Sequence, residues 1–161
     1  MYPSDVNDVF RASRVAASGL KSNRSWMTMI ANNISNANTL DTGVRDRSGN
    51  FVPYARQVPI FSKILSEKFR ENRVNSDVAN GVRVKEIKEL KGNVKKVYNP
   101  SHPAARKAGT QDAGYVYYPS VSTSQEMADL RIAAAAYEAN LSVITIASKM
   151  NQQALSLGRG G

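Results

Sequence analysis

Long, unbroken helical periodicity at both ends of the chain constrains the fold more than any other feature of the sequence. Residues spaced alternately three and four apart are mostly apolar between Asp5 and Ala37, and again between Ser124 and Leu157. We call each of these two sets a seam. The N-terminal seam comprises Val9, Ser13, Ala16, Leu20, Asn23, Met27, Ile30, Ile34 and Ala37. The C-terminal seam comprises Met127, Leu130, Ala134, Tyr137, Leu141, Ile144, Ser148, Asn151 and Leu155. Both patterns predict long helices that bury one face against another helix.

The C-terminal segment carries a second apolar stripe, about 100° around the helix from the first. Its members are Ala133, Ala136, Asn140, Val143, Ala147, Met150, Ala154 and Leu157. We expect the first seam to pack on the N-terminal helix of the same chain, which leaves the second stripe for a contact with another subunit. Two overlapping capping boxes, Ser122–Gln125 and Thr123–Glu126, predict where this helix begins.

Residues 39–121 lose the helical period and hold five of the six prolines, which favours short strands and turns. The charged stretch Ser62–Asn80 is predicted to be a mobile loop with a short helix at Ile64–Phe69. Strand candidates are Phe51–Phe61, Val82–Leu90, Asn93–Tyr98 and Tyr115–Tyr118. Since the helices meet this segment at its two ends, they should run antiparallel. The predicted fold class is α+β: terminal helices in 1–38 and 122–161 form a coiled-coil-like pair, with a small β domain, 39–121, inserted between them.

Composition argues against most catalytic and metal chemistry. The chain has no cysteine and one histidine, His102, so a zinc site or a Cys-His nucleophile pair lacks its usual groups. His102 stands between Ser101 and Pro103 and is expected to shape a loop. We therefore predict no enzyme activity, no cofactor and no metal. The longest apolar run, Ile132–Tyr137, is far shorter than the roughly 20 residues that cross a bilayer, which predicts no lipid-spanning segment.

The formal net charge of +9 raises the question of an anionic partner. The excess lies in residues 39–121, which hold fifteen basic and eight acidic side chains in interleaved order, as is typical of a solvated surface. One alternative is a basic nucleic-acid-binding protein that uses this middle segment and stacks bases on Tyr115, Tyr117 and Tyr118. Against it, the stretch Gly114–Val121 contains no Arg or Lys, and the sequence shows no RNA-binding signature. A peptidoglycan-cleaving enzyme is a more remote alternative, since no carboxylate pair is evident.

Several motifs resemble the axial proteins of the bacterial flagellum, the family of rod, hook and hook-associated proteins. The first is the segment from Ala31 to Thr39, which reads ANNISNANT. The others are YNPSHPAA from Tyr98, GYVYYPSV from Gly114, AYEAN from Ala136 and the LGR at Leu157. Their order is similar to that of the proximal-rod proteins. Two departures are Ala135, where the family commonly has Arg, and the long stretch Ser62–Asn80.

The resemblance implies a structural subunit of the flagellar basal-body rod, which polymerises through its terminal helices with other copies and other rod proteins. It also implies export through the flagellar type III apparatus without a cleaved signal peptide, location in the rod that crosses the periplasm, and a role in motility. Asp5, Asp8, Arg11 and Arg14 interrupt any apolar block of the kind a secretory signal needs.

Under this reading, the residues predicted to form subunit contacts lie on the two helices. Asparagines in one patch would supply amide hydrogen bonds between helices, and the aromatic Tyr137 is expected to be a core residue of the seam. On the first helix the predicted interface residues are Leu20, Met27, Ile30, Asn33, Ile34 and Asn36. On the second they are Ala133, Ala136, Tyr137, Glu138, Asn140, Leu141, Val143, Ile144, Met150 and Ala154.

Overall fold

A computed structural model describes residues 3–65 and 79–158 of the chain. Two long helices enclose four strands in the order α1, β1, β2, β3, β4, α2. The elements are α1 Pro3–Ser35, β1 Gln57–Leu65, β2 Ala79–Glu89, β3 Val94–Tyr98, β4 Tyr115–Pro119 and α2 Thr123–Gly158. The predicted α+β class is confirmed, and both helices lie within two residues of their predicted ends.

Ser122 caps the start of α2, which is one half of the first predicted capping box. The Ser122 carbonyl accepts a hydrogen bond from the Glu126 N–H at 2.9 Å, and its hydroxyl accepts a long one from the Gln125 N–H at 3.4 Å. The Thr123–Glu126 box is wrong. The Glu126 carboxylate turns away from the backbone because side chains of other elements bind it.

The strands form two separate two-stranded sheets, β1 with β2 and β3 with β4. In the second sheet the strands are antiparallel and Lys96 lies opposite Tyr117. The first predicted strand was placed too early, because residues before Gln57 form loop contacts such as the Tyr54 N–H to Thr39 carbonyl bond of 3.0 Å.

The predicted loop Ser62–Asn80 is wrong at both ends. Residues 62–65 belong to β1 and residues 79–80 to β2, so the predicted helix at Ile64–Phe69 does not begin there. Exposed Phe61 and Lys63 alternate with covered Ser62 and Ile64, which is the period of a strand. The rest of this predicted loop and helix, residues 66–78, lies outside the described residues.

Two compact units share the chain. The first comprises Met1–Met27, Pro59–Glu86 and Arg131–Gly161. In it, two serines one helical turn apart hold β2 on α1: Ser18 Oγ accepts from the Val82 N–H at 3.0 Å, and Ser22 Oγ donates to the Val82 carbonyl at 3.1 Å. The preceding Gly81 has a φ of 122°, and a β-carbon there would overlap the Ser18 hydroxyl, so the close approach requires glycine.

The second unit comprises Thr28–Val58 and Ile87–Leu130. Its loops are joined by a set of polar and charged residues that we call the loop cluster: Asp46, Asn50, Lys96, Arg106, Asp112 and Tyr117. Asp46 accepts hydrogen bonds from the Asn50 backbone at 2.9 Å and from Arg106 at 2.9 Å, and the Arg106 guanidinium lies 4.6 Å from the centre of the Tyr117 ring. The short strands β3 and β4, five residues each, pair with each other, and the side chains of the loop cluster connect them to the preceding loop.

The packed face of α1 is the predicted one, whereas that of α2 is shifted by one residue at several positions. From Ser13 to Ala37 every member of the predicted α1 seam is buried or half-buried. In the first unit Gly19 faces the Asn140 side chain, and in the second unit Asn33 bonds to Glu126. The covered positions of α2 up to Ser156 are Glu126, Asp129, Leu130, Ala133, Ala134, Ala136, Tyr137, Asn140, Ile144, Ala147, Asn151 and Ala154. Five of the nine residues of the predicted α2 seam are therefore correct.

The other four are wrong: Met127, Leu141, Ser148 and Leu155 are exposed, Leu155 by 70%. The smaller residues one position earlier, including Ala133 and Ala147, are buried instead. Small residues leave room for a larger side chain from the facing helix, and at Gly19 the Asn140 side chain fills that room. Close packing of small residues has thus been favoured over burial of the largest apolar ones.

Candidate assembly surfaces

A buried polar cluster joins the helix ends of the second unit, and we call it the junction cluster. It consists of Asn33, Tyr54, Arg56, Gln57, Glu126 and Asp129. Asn33 is 1% exposed and all four hydrogen-bonding positions of its amide are used. Its Nδ2 donates to Glu126 Oε2 at 3.0 Å and to the Gln57 carbonyl at 2.9 Å. Its Oδ1 accepts from the Gln57 N–H and from the Tyr54 hydroxyl, each at 2.9 Å.

Charge in the junction cluster centres on Glu126, whose side chain is 1% exposed. Arg56 Nε donates to Glu126 Oε1 at 2.6 Å, and Arg56 Nη2 lies 3.3 Å from Asp129 Oδ2. Burial, followed by the nearby charges of Glu126 and Glu89, raises the pKa of the Tyr54 phenol above its usual range. Tyr54 therefore stays neutral over the physiological pH range, and its hydroxyl donates a hydrogen bond to Asn33 Oδ1.

Sequence reasoning found part of this cluster and missed the rest. The asparagine patch was correctly expected to supply amide hydrogen bonds, but those of Asn33 reach elements of its own chain. Asn36 instead caps α1, donating to the Asn32 carbonyl at 2.9 Å and accepting from the Thr39 hydroxyl at 3.1 Å. The sequence did not identify Arg56 as a member of this cluster, because an isolated arginine in a predicted loop resembles any solvent-exposed charge. Only the tertiary fold brings it to Glu126.

An apolar stripe runs along α2 in the first unit, and we call it the outer stripe. It consists of Ile132, Ala136, Ala139, Val143, Ile146 and Met150. These positions follow four-three steps without a polar interruption, and Ile132 and Ile146 are 59% and 58% exposed. Arg131, Glu138 and Lys149 lie off the stripe by their helical phase. A 3.5-residue apolar repeat is the pattern that a partner helix covers.

The outer stripe contains three residues of the predicted second stripe, Ala136, Val143 and Met150. Of the other members, Ala133 and Ala147 are buried within the chain and Asn140 and Ala154 are half-buried. Sequence reasoning missed Ile132, Ala139 and Ile146, although their four-three spacing from the three shared positions was the available signal. It was overlooked because α2 is apolar around most of its circumference.

The predicted interface residues differ widely in exposure, and their role in subunit contacts stays a prediction. Those already buried within the chain are Ile30, Asn33 and Ala133. Those half-buried are Leu20, Met27, Ile34, Asn36, Ala136, Tyr137, Asn140, Ile144 and Ala154. Those exposed are Glu138, Leu141, Val143 and Met150. Only the exposed and half-buried groups can meet a partner without rearrangement of the helix pair.

α2 is also long and apolar enough, by length and composition, to cross a membrane over Thr123–Ser156. The prediction that no segment could span lipid was therefore too strong. It rested on uninterrupted apolar runs, whereas α2 reaches a high average hydropathy with alanines interrupted by single polar residues. Most of this helix is exposed in the single chain.

The exposed side of α1 has a different chemistry. From Phe10 to Ser35 every charged residue is basic, and Arg11, Arg14, Lys21 and Arg24 are all exposed. Burying such a row against the uncharged outer stripe of another copy would desolvate its charges without compensation. The outer stripe is thus better matched to an apolar helix face than to this basic one.

The charged residues of the loop cluster bond to one another and to the backbone of the loops that they join. The backbone N–H of Asn50 chiefly lowers the pKa of the Asp46 carboxyl, and Lys96 chiefly lowers that of Asp112. Burial, then the hydrogen bond to Asp112, raises the pKa of the Tyr117 phenol. Tyr117, one of the proposed base-stacking tyrosines, is thus engaged by neighbouring side chains. Residues 3–65 and 79–158 contain no group of three or more His, Cys, Asp or Glu that could hold a metal ion.

His102 shapes its loop as predicted. Its Nδ1 accepts a hydrogen bond from the Ala104 N–H at 3.0 Å, and its own N–H donates to the Asn99 carbonyl at 3.2 Å. The half-buried Trp26 contacts β1, where its ring lies edge-on to Phe61 at 6.0 Å. Both residues thus contribute to structure within the chain.

Comparison with known proteins agrees with the motifs at the two helices. Residues 14–40 match the family described as flagella basal body rod protein, and residues 112–157 match the C-terminal region of the flagellar basal body rod FlgEFG proteins. The flagellar basal-body rod protein FlgC of Borreliella burgdorferi is 33% identical over 157 residues, covering 94% of this chain and 99% of the relative. FlgC of Bacillus subtilis is 31% identical over 157 residues, covering 93% and 98%. FlgC of Agrobacterium fabrum is 34% identical over 134 residues, covering 83% of each chain. Nothing in these matches supports the nucleic-acid alternative. The chain belongs to the FlgC family of flagellar basal-body rod proteins.

Proposed function

We propose that this chain is a structural, non-catalytic subunit of the flagellar basal-body rod, and that the outer stripe of α2 is covered by apolar helices of neighbouring rod subunits. Family membership supports the rod assignment. The observation that carries the assembly surface is the uninterrupted heptad spacing of apolar residues from Ile132 to Met150, all of them exposed except the half-buried Ala136. A structural subunit of a shaft needs such side-to-side contacts and no substrate site.

Helix partners explain the outer stripe better than lipid does. A bilayer surrounds a helix on all sides, yet Arg131, Glu138 and Lys149 lie on other sides of the same segment, where each would be costly in hydrocarbon. A protein partner needs only one apolar face and leaves those charges in water. The small side chains of Ala136 and Ala139 also let a partner backbone come close.

The decisive experiment introduces one charge on the outer stripe. Ile146→Glu places a carboxylate where a partner helix would bury it, at a cost of several kcal/mol per contact. The matched control is Thr145→Glu, because Thr145 is the adjacent exposed residue and lies off the stripe. Each variant is expressed in a strain lacking its own copy, and basal bodies are isolated for electron microscopy.

We expect Ile146→Glu to abolish rods and swimming while the monomer keeps its circular dichroism, and Thr145→Glu to assemble normally. Normal rods from Ile146→Glu would overturn the assembly surface. Binding of the unaltered chain to neutral lipid vesicles, lost in Ile146→Glu, would instead assign the stripe to a membrane.

Export through the flagellar type III apparatus, without a cleaved signal, is part of the same proposal. It is supported by the charged side chains of Asp5, Asp8, Arg11 and Arg14, which break up the apolar block that a secretory signal peptide requires. Deletion of residues 2–20 should retain the protein inside the cell. Mass spectrometry of assembled rods should find an unprocessed N-terminus, and a terminus cut within α1 would contradict this part.

A further inference from the structure

Charge is distributed unevenly between the two compact units. Among the side chains of the first unit whose exposure the structure describes, nine exposed ones are basic: Arg11, Arg14, Lys21, Arg24, Lys63, Arg83, Lys85, Arg131 and Lys149. Only two of the exposed ones are acidic, Glu86 and Glu138. A surface with such an excess of one sign attracts partners of the opposite sign and repels copies of itself.

The second unit, by contrast, pairs its own acidic groups. Each of its six acidic residues takes part in an ion pair: Asp41, Asp46, Glu89, Asp112, Glu126 and Asp129. Within residues 3–65 and 79–158, no ion pair includes Arg11, Arg14 or Lys21. A second copy of this chain therefore has few unpaired carboxylates to offer them, so a different molecule has to supply the negative charge.

Part of the basic excess of the first unit lies along one side of α1, which we call the basic face. It consists of Phe10, Arg14, Ala17, Lys21 and Arg24, spaced by four, three, four and three residues. All five are exposed. The basic face lies about half a turn around the helix from Gly19, which faces the Asn140 side chain of α2. It is thus directed away from the contact that α1 makes with α2 in this unit.

The residues of the basic face suit a partner helix better than a membrane. Heptad spacing is the pattern that a second helix covers, and the small Ala17 lets its backbone come close while Arg14 and Lys21 reach to either side. Basic helices that bind membranes bury large apolar side chains beside their charges. After Phe10 the basic face has no large apolar residue, so it offers a membrane only a weak electrostatic contact.

We propose that the basic face of α1 binds an acidic helix of a different rod protein, whose Asp and Glu side chains pair with Arg14 and Lys21. The proposal rests on the proposed rod function, since this neighbour is met in the rod, but it uses a different helix from the outer stripe. Two neighbours of different chemistry, apolar at α2 and acidic at α1, give the subunit one orientation in the assembly.

Photo-crosslinking in isolated basal bodies identifies the neighbour. Phe10, the aromatic residue of the basic face, is replaced by the photoreactive p-benzoylphenylalanine, which is similar in shape. This variant is expressed beside the unaltered chain, so that rods still assemble, and the cross-linked peptides are identified by mass spectrometry.

The contribution of charge is measured in two further backgrounds, each of which removes two exposed cations from the first unit. Arg14→Gln with Lys21→Gln removes them from the basic face. The matched control, Arg83→Gln with Lys85→Gln, removes them from β2. Cross-link yield is normalised to the amount of variant chain in the basal bodies, so that a difference in export does not alter it.

We expect the cross-link to reach a helical segment of a different protein whose Asp or Glu residues are spaced three or four apart. Its yield should fall more than about fivefold in Arg14→Gln with Lys21→Gln and less than about twofold in the control. A cross-link to a second copy, to lipid or to a segment without acidic residues would overturn the inference, as would no cross-link or an equal fall in both backgrounds. The identity of the cross-linked segment decides the inference even where a glutamine variant is exported poorly. Absence of every form of the chain from basal bodies would refute the rod assignment itself.

Discussion

Removing the arginine of the junction cluster should be among the most damaging single changes in the chain. Arg56→Ala leaves the Glu126 carboxylate, 1% exposed, with Asn33 as its remaining side-chain partner in the described structure. Arg56 Nε now lies 2.6 Å from that carboxylate, closer than any other charge in the cluster. Loss of one partner of a buried pair typically costs about 3–5 kcal/mol, because the other charge stays desolvated.

The matched control is Asp129→Ala, which removes the outer carboxylate of the same arginine. Asp129 lies 3.3 Å from Arg56, and the two side chains are 27% and 21% exposed. Water screens this pair, and such partly exposed ion pairs contribute about 0.2–1 kcal/mol. The two variants therefore differ in the burial of the charge left behind.

Urea unfolding followed by circular dichroism at 222 nm measures the difference. With a slope of about 2 kcal/mol per molar urea, Arg56→Ala should lower the midpoint by about 1.5–2.5 M and Asp129→Ala by no more than about 0.5 M. Replacing both members of the buried pair, in Arg56→Met with Glu126→Leu, should recover most of the loss, because no buried charge remains. Equal midpoints for Arg56→Ala and Asp129→Ala would refute the reasoning.

Three further predictions concern other parts of the chain. Tyr54→Phe removes the hydroxyl that donates to the junction amide and should cost about 1 kcal/mol in thermal unfolding. Because the folded pKa of Tyr54 is raised, its contribution to stability is complete below about pH 10 and is lost as pH rises through the folded pKa, so the difference between Tyr54→Phe and the unaltered chain should shrink in alkali. Gly81→Ala should unfold at clearly lower temperature than Gly92→Ala, because both glycines have positive φ but only Gly81 faces a side chain within reach of a β-carbon. The lowered pKa of Asp112 predicts that its bonds persist above about pH 4 and are lost as pH falls through the folded pKa, which NMR shifts of Tyr117 would report and Asp112→Asn would abolish.

Local sequence signals predicted the elements of the fold well where a long period was available. Both helices and strands β2 to β4 follow from the repeat and from turn residues. The boundary at Ser62–Asn80 failed because charge was taken to indicate a loop, whereas Lys63 is the exposed half of a strand alternation. The division into segments 1–38, 39–121 and 122–161 remains a prediction.

The difference between the predicted and the covered face of α2 shows that periodicity alone does not determine which side of an apolar helix is buried. Hydrophobicity alone selected Leu141 and Met127, while the folded chain covers Ala133 and Ala147. A helix that is apolar on several sides has several seams of similar score, and the choice depends on side-chain size and on polar partners far away in sequence. Glu126 looked like a capping residue for the same reason, since Arg56 lies 70 positions earlier in the chain.

The two serines that bond to Val82 let α1 replace a neighbouring strand at this residue. They satisfy both the N–H and the carbonyl of Val82, as a third strand would. Asn33 does the same for Gln57, the first residue of β1. Helix side chains thus complete backbone hydrogen bonding in both strands, so a substitution at Ser22 or Asn33 should weaken the β1–β2 pair although it changes no residue of either strand.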